Sequence, residues 1–258
     1  MKVGVMTFDF TGKVALVIGG STGIGETTAH AFRAAGALVV VADVNEQVGT
    51  KTVGSMGGAD VAFFVKSDVS DSESVEALVR KVIERFGRLD IAFNNAGIQL
   101  APAPLAEQNP ANFAKVVTVN LRGVFNSMRA EIPAMLGSGG GSIINTASVM
   151  GERAAPGQSS YVASKHGIIG LTKGAAIDYA TRGIRVNAIL PGAVDSPMPQ
   201  QITDVTQGRT ENGMDTAPMR RLGTPHEVAD AVLWLASDQS SFVTGASIAV
   251  DGGAIATL

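Results

Sequence analysis

Cysteine is absent from the 258 residues, which excludes a disulfide framework and a thiolate metal site. Histidine is scarce: His30, His166 and His226 are too far apart to read as a ligand cluster, so no metal site is expected. No block of Lys or Arg occurs, and the formal net charge is −3. That argues against a nucleic-acid partner and against a polybasic membrane anchor. Uninterrupted apolar runs stay short of the ~18 residues that a membrane helix needs. The opening stretch, residues 1–10, does not resemble a signal peptide. Internal repeats and low-complexity tracts are missing as well. These absences predict a soluble, cytoplasmic protein with neither nucleic acid nor membrane as a partner.

What is present is an apolar chain. Hydrophobic residues make up 45 % and charged residues 17 %, enough for a large buried core and too apolar for disorder. Short, mostly uncharged runs at 13–18, 37–42, 61–65, 89–93, 142–147, 185–190 and 246–250 read as buried strands. Helical patterns lie between them, with Gly36 and Gly87 as stop signals and Asn45 and Asp71 or Ser72 as caps. One long helix is expected over 111–136 and a polar loop over about 192–218. The alternation predicts an α/β, doubly wound parallel sheet of about seven strands with helices on both faces. No composition break marks a boundary, so 1–258 is expected to be a single domain.

Polar chemistry concentrates in one stretch. Tyr161 and Lys165 stand one helical turn apart and project from the same helix face, with Ser148 upstream. A lysine ammonium beside a phenol stabilises the phenolate and lowers its pKa from about 10. Tyr161 is then a candidate general acid/base, with Ser148 as a neutral hydrogen-bonding partner. A two-residue pattern of this kind recurs by chance, so its meaning rests on the residues around it.

The turn after the first expected strand reads Gly19-Gly20-Ser21-Thr22-Gly23-Ile24-Gly25 and opens a helix. Glycines there let backbone approach a pyrophosphate, and a helix N-terminus offers free N–H groups. Asp43 ends the second expected strand, about 20 residues on, where an acidic side chain can grip ribose hydroxyls. A carboxylate at that place repels a 2′-phosphate, and no Lys or Arg in the glycine turn offsets it. NAD is therefore favoured over NADP.

In order, Gly19-x-x-x-Gly23-Ile24-Gly25, Asp68-Val69, Asn94-Asn95-Ala96-Gly97, Asn120, Ser148 with Tyr161-x-x-x-Lys165, and Pro191-Gly192 resemble the short-chain dehydrogenase/reductase family. The resemblance covers nearly the whole chain and implies a Rossmann-type sheet and a nicotinamide cofactor. It implies cofactor contacts from Gly19, Ser21, Thr22, Gly23, Ile24, Gly25, Asp43, Asp68, Val69, Asn94, Ala96, Gly97, Tyr161, Lys165, Pro191, Gly192, Val194 and Ser196. Within that set, Asp68 and Val69 flank the adenine, Asn94 and Gly97 shape the floor, and Asn95 is structural. The implied catalytic set is Asn120, Ser148, Tyr161 and Lys165. Tyr161 exchanges a proton with the substrate oxygen, Ser148 polarises that oxygen, Lys165 bonds the nicotinamide ribose, and Asn120 holds a water. Three positions depart from the family pattern: Ile18 stands where threonine is frequent, Ala147 replaces a serine, and Ser196 replaces a threonine.

The expected activity is an oxidoreductase that interconverts a secondary alcohol and a ketone. An NADPH-dependent 3-oxoacyl-type ketoreductase and a catalytically silent NAD-binding protein are the alternatives. Gln99, Val149, Met150, Gln158, Val194 and the loop 198–214 are candidates to line a small-molecule substrate pocket, with that loop as a lid. Arg153 and Arg209 read as solvated or ion-paired rather than as anion ligands. On the helix of Tyr161, Ala163, Gly167, Gly170 and Gly174 fall opposite the reactive side. That small-residue face, with the resemblance, implies a homo-oligomer, a tetramer or a dimer.

Overall fold

The computed structural model describes residues 8–196 and 217–256. Strands β1 (Val14–Ile18), β2 (Leu38–Asp43), β3 (Ala62–Lys66), β4 (Ile91–Asn94), β5 (Gly141–Thr146), β6 (Ile184–Pro191) and β7 (Ser247–Val250) form one sheet. The order is β3-β2-β1-β4-β5-β6-β7 and every pair is parallel. All five residues of β1 are buried, because a parallel sheet has helices over both faces. Val14, Leu16 and Ile18 point to one core layer and Ala15 and Val17 to the other.

The helices divide accordingly. Helices α3 (Ser72–Phe86), α5 (Gly123–Gly137) and α6 (Ser159–Tyr179) feed the first layer through residues such as Leu78, Met128 and Ile168. The opposite layer takes Phe32 from α1 (Gly23–Ala34), Val53 from α2 (Glu46–Gly54), and Val228 and Val232 from the C-terminal helix Pro225–Ala236. Local signals set the ends. Asn45 accepts from Val48 N at 3.2 Å and Asp71 from Glu73 N at 3.0 Å, while Gly87 closes α3 with φ 74°. The doubly wound sheet expected from the alternating pattern is therefore present. Strand order reverses at β1 and β4, which opens a crevice beyond their C-terminal ends.

One expectation fails. The helix over 111–136 is not continuous α-helix: α4 (Pro110–Val116) passes through a π-helical turn, Val117–Arg122, before α5 begins. Such turns recur at functional sites, and Asn120 sits inside this one. Apolar periodicity cannot reveal it, because both flanking segments keep the α period. No helix among the described residues is long and apolar enough to cross a membrane.

Candidate active site

The glycine turn is shaped by close approach. Gly19 has φ 73°, and a Cβ there would stand 2.6 Å from Ala96 N. At Gly25 a Cβ would stand 2.0 Å from Gly19 O, so only glycine lets α1 pack against the turn. The turn is braced by Gly19 N donating to Ala42 O at 2.8 Å and Asn95 Nδ2 donating to Gly19 O at 3.0 Å. Asn95 thus supplies a bond at the turn where Ile18 has no hydroxyl to offer. Thr22 does not cap α1 with its side chain, which leaves the first N–H groups of the helix to an external acceptor.

At the end of β2, Asp43 accepts from Ser21 N at 3.3 Å and from Asn45 N at 3.1 Å. These bonds aim the carboxylate while leaving lone pairs over. Asp68, past β3, is held by Ser70, which donates to Oδ1 from its N at 2.9 Å and its Oγ at 2.7 Å.

The polar group of α6 lies across the crevice. Ser148 follows β5, is nearly buried, and accepts from Met150 N at 3.2 Å. The Tyr161 phenol lies near enough for Ser148 to lower its pKa. Lys165 is buried; its Nζ donates to Thr146 O at 2.8 Å and lies 5.4 Å from the centre of the Tyr161 ring. Asn120 reaches in from the π turn. Its Nδ2 donates to Ile98 O at 2.9 Å and Ser164 Oγ at 3.1 Å, and its Oδ1 accepts from Ile98 N at 2.8 Å. One side chain therefore ties the loop after β4 to α6.

Electrostatics differ from the spacing argument, which has the ammonium lowering the phenol. Burial pushes the Tyr161 phenol up to about 12, offset only in part by Ser148. The same cause pushes the Lys165 ammonium down to about 7. Neither charged form has the water it would need. Tyr161 keeps part of its surface open, so a polar ligand in the cavity relieves some of that cost.

A second correction concerns the asparagine pair. Asn94 is buried and turned into the core, where its Nδ2 donates to Glu131 Oε2 at 3.1 Å and Asn145 Oδ1 at 2.9 Å. Asn95 lines the cavity instead. The side chains alternate along an extended chain, so one of the two faces the site and the other the layer behind it. Glu131, fully buried on α5, is held neutral by its surroundings, with its carboxyl pushed up to about 8 by burial. The apolar stripe Val124, Met128, Glu131, Met135 carries a signal for it, an acid at a core position of a helix.

A cavity of 1180 Å³ joins both ends of the crevice. Gly19, Thr22, Gly23, Ile24, Asp43, Asp68, Val69, Ala96, Gly97, Ser148, Tyr161, Lys165, Pro191, Gly192, Val194 and Ser196 all line it. Ser21, Gly25, Asn94 and Asn120 stand behind the wall. Gln99, Val149, Met150, Arg153 and Gln158 line it too, and Arg153 donates to the Ala254 carbonyl. The loop 198–214 with Arg209 lies outside the described residues. Among the described residues no cluster of His, Cys, Asp and Glu could hold a metal. The features present fit a dinucleotide: glycines whose Cβ positions are taken by backbone, a helix end without a side-chain cap, and carboxylates at the end of β2 and past β3.

Comparison with known proteins points the same way. The sequence model described as enoyl-(acyl carrier protein) reductase matches residues 19–254. The 2,5-dichloro-2,5-cyclohexadiene-1,4-diol dehydrogenase of Sphingobium indicum is 44 % identical over 246 residues, 95 % of this chain and 98 % of that one. Cyclohexanol dehydrogenase of an Acinetobacter species is 40 % identical over 251 residues, 96 % of this chain and 97 % of that one. The crystal structure of levodione reductase superposes with TM-score 0.92 at 37 % identity, covering 96 % of this chain and all of the other.

Proposed function

Because the chain belongs to the short-chain dehydrogenase/reductase family, we propose that it interconverts a cyclic secondary alcohol and its ketone, with NAD as the preferred cofactor. The observation that carries this reading is the Ser148–Tyr161–Lys165 group in the wall of the cavity that also holds the glycine turn and Asp43. The relatives named for ring alcohols and a ring diol support the substrate class.

When bound, the nicotinamide accepts or supplies the hydride. The chain does the rest. Ser148 and Tyr161 line the same cavity, where the substrate oxygen takes a bond from each. The Tyr161 phenol gives that oxygen a proton on ketone reduction and removes it on alcohol oxidation. With the phenol near 12 and the amine near 7, a neutral phenol is ready for the first direction. The second needs positive charge close by, which Lys165 supplies once its ammonium has acceptors. Lys165 spends one donor on Thr146 O and keeps two for ribose hydroxyls. Asn120 fixes Ile98 and Ser164 and retains one lone pair for a water on the Lys165 side.

Asp43 supports NAD: its oriented carboxylate lines the cavity with Val44 beside it, and the nearby Lys66 is ion-paired with Glu46 at 3.6 Å. On this reading 1–258 acts as one domain, in the cytoplasm, as a dimer or tetramer. Gly170 and Gly174 support assembly, because a Cβ at either would meet nothing within 4 Å. Gly167 does not belong to that face; a Cβ there would stand 2.8 Å from Leu121 of the same chain. Sedimentation as a monomer at micromolar concentration would refute the assembly. The activity is tested by following reduced-cofactor absorbance with NAD and a panel of ring alcohols. No turnover of any of them refutes it.

A further inference from the structure

Gln158 is 7 % exposed and lines the cavity; its side-chain amide makes no hydrogen bond to another described residue and is not sealed off from solvent, so it opens onto the cavity. Such an amide carries two donors and an acceptor oxygen, all left for water or a ligand in the cavity. Its position is not loose. Gln158 precedes α6, its carbonyl accepts from Val162 N at 2.8 Å, and its N donates to Ala155 O at 3.3 Å. The preceding Gly157 has φ 76°, and its carbonyl accepts from Ala103 N at 3.1 Å and Gln108 Nε2 at 3.2 Å. A Cβ on Gly157 would stand 2.9 Å from Pro102 Cβ, so the segment is clamped against that loop. The backbone of Gln158 is thus fixed three residues ahead of Tyr161, at the N-cap of α6.

Ser148 and Tyr161 account for the reacting oxygen, and the amide of Gln158 is left over. We propose that Gln158 is a specificity-determining residue that selects neutral ring substrates carrying a second oxygen function, a hydroxyl or a carbonyl, remote from the reacting carbon. This rests on the alcohol/ketone reading above and adds the second polar group. A neutral amide both donates and accepts, so it serves a hydroxyl or a ketone and offers a carboxylate no charge. Arg153, the cation of the neighbouring loop, is turned to the Ala254 carbonyl. Val149, Met150, Ala154 and Pro156 make the adjoining wall apolar, so a substrate without the second oxygen seals the amide off from water unpaired. A site built to bond a substrate hydroxyl discriminates against the analogue that lacks it.

The experiment compares kcat/KM for cyclohexanol with those for cyclohexane-1,3-diol and cyclohexane-1,4-diol, in the wild type, Gln158→Leu and Gln158→Met. The expected result is a preference of at least about tenfold for one of the diols in the wild type, falling to near parity in both variants. Cofactor affinity and the thermal midpoint, measured on each variant, are expected to be unchanged. If Gln158→Leu does not fold, Gln158→Met, which keeps the length of the side chain, decides. A wild type that turns over cyclohexanol as well as both diols, or a preference that survives both substitutions, overturns the role of Gln158 and leaves the alcohol/ketone reading standing. No turnover of any of the three by the wild type overturns that reading and the proposal with it.

Discussion

Glu131→Gln separates the charge of a buried carboxyl from its shape. Glu131 is fully buried, one oxygen accepts from Asn94 Nδ2, and the other has no partner among the described residues; Asn94 Oδ1 is likewise unpaired. The cluster continues through Asn145 to Thr172 Oγ1 at 3.0 Å without a cation bonded to the acid. Burial raises the carboxyl from 4.5 to about 8, so the folded protein holds a proton that the unfolded chain releases. The sign follows from linkage. Below pH 4.5 both states are protonated and the carboxyl contributes no pH dependence. Between 4.5 and 8 the unfolded state binds fewer protons, so stability falls as pH rises, and above 8 the loss levels off. At about 1.4 kcal/mol per unit, the cost is about 3 kcal/mol by pH 7. The glutamine variant has no proton to lose and keeps an N–H where the acid has its O–H. Urea unfolding of both proteins at pH 4.5 and pH 7 tests this, and subtracting the curves cancels Lys165, whose depressed pKa acts in the opposite direction above pH 7. The advantage of the variant should grow by about 3 kcal/mol across the interval, about 1 M in midpoint for an m-value near 3 kcal/mol/M. Parallel curves would refute the buried neutral acid.

Three further outcomes are expected. Tyr161→Phe should lower kcat by about 10²–10⁴-fold while NAD affinity, followed by fluorescence titration, stays within twofold, about what loss of an acid/base predicts; retained turnover would remove Tyr161 from the chemistry. Asp43→Ser should lower the ratio of NAD to NADP efficiency by at least about tenfold, because the carboxylate no longer repels a 2′-phosphate, and an unchanged ratio would show that selectivity lies elsewhere. Gly25→Ala puts a Cβ 2.0 Å from Gly19 O and should cost about 1–3 kcal/mol and weaken cofactor binding; Gly170→Ala, with open space at its Cβ, is the control and should not touch the cofactor.

The sequence alone determined a good deal, and each part has a local cause. Buried parallel strands read as apolar runs, glycine-opened and glycine-closed helices keep their signals within a few residues, and Tyr161 and Lys165 share a face because both lie on one helix. The glycine turn and Asp43 were legible because a strand end followed by a helix start is a short-range pattern. What only the tertiary structure decided depends on contacts between distant segments. Which asparagine of Asn94-Asn95 faces the cavity follows from the register of β4 between β1 and β5. The π turn at Asn120 serves Ile98 and Ser164, on other elements. The directions in which Tyr161 and Lys165 titrate come from how much water each loses on packing, a quantity that spacing cannot carry. Gln158 is the plainest case: in the sequence it is one polar residue before a helix, and only the folded chain shows that it lines the same cavity as Tyr161 with its amide bonded to no described residue.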